Sequence, residues 1–92
     1  MMASPAEIAN DMAAQASYWH RRDGKIEAAC RDAARIIRAF LSNDQVDGRT
    51  YYGLHRRLLD LEARAARSSV RFPDFTRARN ALEALHREAQ RP

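Results

Sequence analysis

Hydrophobic residues recur every three or four positions along most of the chain, and polar residues fill the positions between them. This spacing places the apolar side chains on one face of an α-helix. Four such segments, separated by short stretches of turn-forming residues, predict an all-α fold, a small antiparallel four-helix bundle. We expect a single helical domain over residues 1–92, with helices near residues 5–22, 25–42, 47–66 and 73–90.

The first segment begins with the sequence SPAE at residues 4–7, which has the residue types of a capping box. The Ser4 hydroxyl can accept a hydrogen bond from the Glu7 backbone N–H, and the Glu7 carboxylate can accept one from the Ser4 backbone N–H. Pro5 suits the first helical position, where a backbone N–H would have no partner within the helix. These residues predict that the first helix starts at Pro5.

The stretch QASYWHRRDGKIEAAC, residues 15–30, decides whether the first part of the chain forms one helix or two. Arg21 and Arg22 would complement the negative end of a helix dipole, and Gly24 can adopt the left-handed conformation that closes a helix. The hydrophobic spacing nevertheless continues in phase, and a glycine inside a helix costs only about 1 kcal/mol. We expect a break at Gly24; without it the bundle would have three helices, the first of them very long.

Two further links are marked by their residue types. The sequence SNDQVDG at residues 42–48 consists of turn formers without helical periodicity, and Asp44 or Asp47 can cap the following helix. The sequence RSSVRFPD at residues 67–74 interrupts the third segment. Pro73 forces the residue before it out of the helical region and suits the start of the last helix.

The apolar faces of the four segments give a candidate core. Trp19 is expected to act there as an apolar anchor, and Cys30 as a small buried residue, rather than as parts of a site. The predicted core residues are Ile8, Met12, Trp19, Ile26, Cys30, Ala33, Ile37, Phe40, Leu54, Leu58, Leu61, Phe75, Leu82 and Leu85.

The composition agrees with a small globular protein, since 46% of the 92 residues are hydrophobic and 30% are charged. The longest apolar runs are only a few residues, which is too short to span a membrane. Residues 1–11 lack the basic and apolar regions of a signal peptide. The single Cys30 excludes an internal disulfide and fits a reducing compartment. We therefore expect a cytoplasmic protein.

One pair of residues has a spacing known from metal sites. Glu83 and His86 form an E-x-x-H on a predicted helix, but a di-iron bundle needs a second such pair and two more inward-facing acids. Glu83 also lies four residues from both Arg79 and Arg87, which is typical of an ion-paired surface. No metal site and no cofactor are predicted.

Catalytic chemistry has no better candidate. A buried Cys30 would be a poor thiolate, and Ser68 and Ser69 have no histidine near them in sequence. His20, three residues before Asp23, has the spacing of a helix-end hydrogen bond, and the glycines are isolated rather than gathered in a phosphate-binding loop. We expect that the protein is not an enzyme.

The charge pattern gives an alternative hypothesis, which is nucleic-acid binding. The net charge is +4, with fifteen arginines and one lysine, and the excess lies in the two middle helices. Arg31, Arg35 and Arg38 lie within about 60° of one another on a helical wheel and face away from the apolar side. A helix-turn-helix that reads DNA is disfavoured, because the link at residues 42–48 is longer and more acidic than that motif uses.

The preferred hypothesis is a regulatory or adaptor protein that binds another protein through a helix face, as a monomer or as a homodimer. The chain has more aromatic residues than a core of this size needs, and tyrosine beside arginine is typical of interface centres. The candidate partner-binding residues are Tyr18, Tyr51, Tyr52 and Arg56. The nucleic-acid alternative uses Arg31, Arg35 and Arg38.

Overall fold

A computed structural model of the chain describes residues 3–91; the first two residues and the last one of the predicted domain lie outside this range. The described part contains four α-helices and no strand, so the predicted all-α fold is confirmed. The helices are α1 (Pro5–Trp19), α2 (Gly24–Leu41), α3 (Gly48–Ala66) and α4 (Phe75–Ala89). Among the helices of residues 3–91, none combines the length and the apolar character that a membrane span requires.

Side-chain pairs between the helices give their relative directions. Along α3 and α2, Arg57 reaches Asp32 and Arg64 reaches Asp23, so residue numbers rise along one helix as they fall along the other. The same antiparallel order relates α1 to α2, and α3 to α4. α2 and α4 approach each other across the diagonal of the bundle and separate α1 from α3.

The link between α1 and α2 confirms the predicted break, but different residues make it. α1 ends at Trp19 rather than at residue 22, and the left-handed residue is Arg21, with φ 64°. The expectation of a left-handed Gly24 is wrong, because Gly24 opens α2. The reason is Asp23, whose carboxylate accepts hydrogen bonds from the first backbone N–H groups of α2.

The capping residues of α1 and α3 are those predicted, whereas α4 starts later than predicted. The capping box is confirmed, since Ser4 and Glu7 exchange two hydrogen bonds of 3.2 Å. Asp47 occupies the N-cap position of α3, although its side chain makes no capping hydrogen bond. α4 begins two residues after Pro73, because the Asp74 carboxylate caps it with a hydrogen bond of 3.0 Å to a backbone N–H of the first turn.

The predicted core residues are buried, except Phe40 and Leu85, which are half-buried and pack against the core. The list of predicted core residues omitted several buried alanines. The contact between α1 and α2 is the most extensive in the bundle, and small side chains such as Ala9, Ala16 and Ala34 occupy it. Because alanine has no bulk beyond Cβ, the two helices pack with their backbones close together.

Candidate functional site

The side of α3 that faces away from the bundle carries an exposed apolar stripe. Tyr52 and Leu59 lie two turns apart, with exposed fractions of 62% and 44%. Arg56, Ala63 and Ala66 are also exposed and continue the alternating spacing of four and three residues that a coiled-coil seam uses. We call these five residues the α3 outer stripe.

One edge of the α3 outer stripe carries a line of arginines. Arg49, Arg56 and Arg67, the last of them the C-cap residue of α3, lie within about 20° of one another on the helical wheel. None of them makes an ion pair with any residue in the range 3–91. Asp60 stands near the same edge and offsets one of the three positive charges. The edge therefore keeps a positive charge that is free to meet an acidic group.

The opposite edge of the stripe is occupied by contacts with α4. The Glu62 carboxylate accepts hydrogen bonds from Arg79 and Thr76, and His55 Nε2 lies 2.7 Å from Glu83 Oε2. These pairs fix the rotation of α3 against α4, so the arginine edge points to solvent.

Tyr51 lies in the core, whereas its neighbour Tyr52 lies on the surface. The Tyr51 side chain is only 4% exposed, and its ring stacks on His86 with centroids 3.9 Å apart and planes inclined by 7°. Phe40 packs edge-on against the same ring. Tyr51, predicted as a partner-binding residue, is thus placed where a partner has almost no access to its ring, since one residue along a helix turns the side chain by about 100°.

Tyr18 is exposed but lies at the other end of the bundle from Tyr52. Its ring is covered on one face by the Arg22 guanidinium, 4.5 Å from the centroid, and meets the edge of Trp19. It follows that the structure brings Tyr52 and Arg56 together, and leaves Tyr18 outside that group.

The second exposed feature is a groove of about 890 Å³ along α1 and α2. Alanines of both helices line it, and Arg31, Arg35 and Arg38 stand on its α2 side, as their shared helical face predicted. We call this the arginine groove. Glu27 and Asp44 also line it, on either side of the three arginines along the chain.

Each arginine of the groove has a different partner. Arg31 pairs with Glu27 at 2.6 Å, and Arg35 lies 3.5 Å from Asp32. Arg38 instead donates to the side-chain oxygen of Asn10 on α1, at 2.9 Å. An amide carries no net charge, so the charge of Arg38 is not neutralised by this contact. Asn10 was not foreseen, because it lies 28 positions away in sequence.

Two of the three histidines, His20 and His55, contact carboxylates of a neighbouring helix. His20 Nδ1 lies 2.7 Å from Glu27, which corrects the expected bond with Asp23. The two members of the E-x-x-H pair turn to different partners: Glu83 contacts His55 and Arg79, and His86 stacks on a tyrosine. Within the described residues there is no group of three or more potential metal ligands.

Cys30 is fully buried in the core, and burial raises the pKa of its thiol to about 12. A thiol with such a pKa is protonated at neutral pH and is a poor nucleophile. Ser68 uses its hydroxyl to accept a hydrogen bond from the backbone N–H of Val70 within the link before α4. These positions give no arrangement of a nucleophile and a base.

The carboxylates between α3 and α4 make the folding stability of the protein depend on pH in the acid range. The hydrogen bond from Arg79 lowers the pKa of Glu62, and the bond to His55 lowers the pKa of Glu83, from ordinary values of 4.5. The unfolded chain therefore takes up protons first as the pH falls, and the stabilisation is present above about pH 4.5 and lost progressively below it. Thermal melts between pH 7 and pH 3 should show this loss.

Glu62→Gln should make that pH dependence shallower, because the variant no longer has the carboxylate that binds Arg79. Glu88→Gln is the matched control, since Glu88 is exposed on the same helix pair and forms no ion pair within the described part of the chain. Equal pH profiles for parent and Glu62→Gln would contradict the role of this ion pair.

Comparisons with known proteins give no further guide to the site. Neither a protein-family model, nor a curated protein, nor a solved structure matches this chain. The α3 outer stripe and the arginine groove are therefore the basis for assigning a function. The α3 outer stripe combines apolar and basic groups, whereas the arginine groove has a floor of small residues and a basic rim.

Proposed function

We propose that this protein is a small, non-enzymatic adaptor that binds an acidic amphipathic helix of a partner protein along the α3 outer stripe. The observation that carries this proposal is the exposure of Tyr52 and Leu59 on one line, beside three arginines that form no ion pair within residues 3–91. Regulation of that partner in a reducing cytoplasm would agree with the buried, free Cys30.

The stripe has the residue types that contribute most to protein interfaces. Tyrosine and arginine dominate binding energy when a partner excludes water from them, and Leu59 adds apolar area worth about 25 cal/mol per Å² buried. Ala63 and Ala66 are small, so they allow a second helix to approach α3 closely. Docking one helix on this stripe follows the common helix-to-helix mode of peptide recognition.

The arginine edge determines the charge of the partner. Arg49, Arg56 and Arg67, less Asp60, give this edge a net charge of +2 (three minus one). Glutamate or aspartate at the margin of the partner helix would meet guanidinium groups that are suited to bidentate contacts. A second copy of this chain presents the same +2 edge, and like charges placed together oppose association. The proposal therefore favours a different, acidic partner over a homodimer.

A defined peptide tests the proposal directly. The probe is a fluorescent amphipathic helix of roughly 20 residues, a length that spans about 30 Å, with a leucine seam flanked by glutamates. A second peptide has lysine in place of every glutamate. Fluorescence anisotropy should give at least tenfold tighter binding of the glutamate peptide, and added salt should weaken that binding.

Two leucines with equal exposure supply the variant and its control. Leu59→Asp should abolish binding of the glutamate peptide, whereas Leu41→Asp should not, although both leucines are 44% exposed. Equal binding of the two peptides, or unchanged binding by Leu59→Asp, would contradict the proposal. A concentration-dependent dimer that Leu59→Asp disrupts would assign the stripe to a second copy instead.

A further inference from the structure

We propose that the arginine groove is a second, separate site, which binds the phosphodiester backbone of a nucleic acid. The groove lies on the hairpin of α1 and α2, and α3 contributes no residue to its lining. This inference does not depend on the proposed function, because the two surfaces use different residues of different helices.

The spacing of the three arginines fits a run of phosphates. At a rise of about 1.5 Å per residue, Arg31, Arg35 and Arg38 extend over roughly 10 Å of α2. One strand of duplex DNA places a phosphate about every 3.4 Å along its axis, so this length corresponds to about three phosphates. The three side chains also point to the same side, which a single backbone running past α2 requires.

The guanidinium groups keep free donors in spite of their contacts in the protein. The contacts of Arg31, Arg35 and Arg38 with Glu27, Asp32 and Asn10 all involve the Nη2 atom. A guanidinium has five N–H groups, and Nε and Nη1 of these arginines have no partner within residues 3–91, so they can donate to phosphate oxygens. The side chains of Arg31 and Arg35 are each 64% exposed. These contacts hold the arginines in place without occupying the groups that would bind phosphate.

The rest of the groove favours a backbone contact and limits its length. Ala34 and Ala39 leave room on the floor, so no large side chain keeps a phosphate from the arginines. The carboxylates of Glu27 and Asp44 would repel a polyanion that extended along α2 beyond the three arginines. The three arginines would contact phosphate groups and not the edges of bases, and we therefore infer binding that is independent of base sequence.

The test is a fluorescence anisotropy titration with two labelled probes, a 20-base-pair DNA duplex and a 20-nucleotide single-stranded RNA. Each is measured at several salt concentrations between 50 and 200 mM. If three phosphates are neutralised, log K should fall with log salt with a slope of about −2.7 for the duplex or about −2.1 for the single strand. The probe that binds with the higher affinity shows whether the site prefers duplex DNA or single-stranded RNA.

Two triple variants with the same loss of charge separate this site from the α3 outer stripe. Replacing Arg31, Arg35 and Arg38 with glutamine should remove most of the salt slope and leave binding of the glutamate peptide intact. Replacing Arg49, Arg56 and Arg67 with glutamine should weaken binding of the glutamate peptide. The salt dependence of nucleic-acid binding should stay nearly unchanged. Circular dichroism melts of both variants confirm that each is folded under the titration conditions.

Three outcomes would overturn the proposal. One is the absence of binding to either probe at 50 mM salt, the condition in which phosphate contacts are strongest. Another is an equal decrease, in the two triple variants, of the slope of log K against log salt. That result would show that nucleic acid responds to the net charge of the protein and not to a particular site. The third concerns the variant in which the groove arginines are replaced. If this variant no longer binds an acidic peptide but still binds nucleic acid, the groove is a site for a protein ligand. Failure of peptide binding alone affects only the proposed function.

Discussion

Replacing Trp19 with alanine should lower the free energy of unfolding by about 3–5 kcal/mol, the usual cost of removing a large buried aromatic side chain. Trp19 is the last residue of α1, is only 8% exposed, and packs against Phe72 in the link before α4. The substitution removes a contact between two segments far apart in sequence and leaves a cavity at that end of the bundle. Urea denaturation followed by circular dichroism measures the change.

Tyr18→Ala is the matched control for this prediction. Tyr18 is adjacent in sequence and aromatic, but it is 58% exposed. Its loss should change the unfolding free energy by less than about 1 kcal/mol. A Trp19→Ala protein with unchanged stability would show that the indole belongs to a binding surface and not to the core.

Leu58→Asp should prevent the chain from folding at 25 °C. Leu58 is fully buried between α3 and the rest of the core, so the substitution loses apolar burial and places a carboxylate where it has no partner. The combined cost is several kcal/mol, and a chain of this length has a total stability of roughly 5–14 kcal/mol. The far-ultraviolet circular dichroism signal of the helices should be largely lost.

Leu59→Asp, one residue further along, should leave the fold intact. Leu59 is on the α3 outer stripe, and exposed substitutions of this kind change stability by about 0.5 kcal/mol or less. The two variants, Leu58→Asp and Leu59→Asp, therefore test the inner and the outer face of α3 with the same chemical change. Equal loss of helical signal in the two variants would contradict the orientation of α3.

The fold was largely predictable because its signals are local. Hydrophobic spacing and capping residues identified the four helices, and the capping box at Ser4 was correct in its two hydrogen bonds. The errors at the first link arose where two local signals compete. Gly24 has the freedom to end a helix, but Asp23 before it is a strong N-cap, and the chain uses the aspartate to begin α2.

The candidate surfaces were less predictable because they depend on contacts between distant residues. The spacing rule placed Arg31, Arg35 and Arg38 on one exposed face, but it contained nothing about Asn10, which holds Arg38 from another helix. The spacing places Tyr51 on the face of Leu54 and Tyr52 beside it, and the rotation of α3 against α4 buries the first ring and exposes the second. That rotation is set by pairs such as His55 with Glu83, which lie 28 positions apart.

The close alanine contact between α1 and α2 has a consequence for the order of folding. Only residues 20–23 separate the two helices, so their pairing closes a very short loop and loses little chain entropy. The contacts of α4 with α1 close a far longer loop, so their formation costs more chain entropy and comes later in folding. We expect the α1–α2 hairpin to form the nucleus, so that substitutions in its alanine interface mainly slow folding, while substitutions in α4 mainly accelerate unfolding.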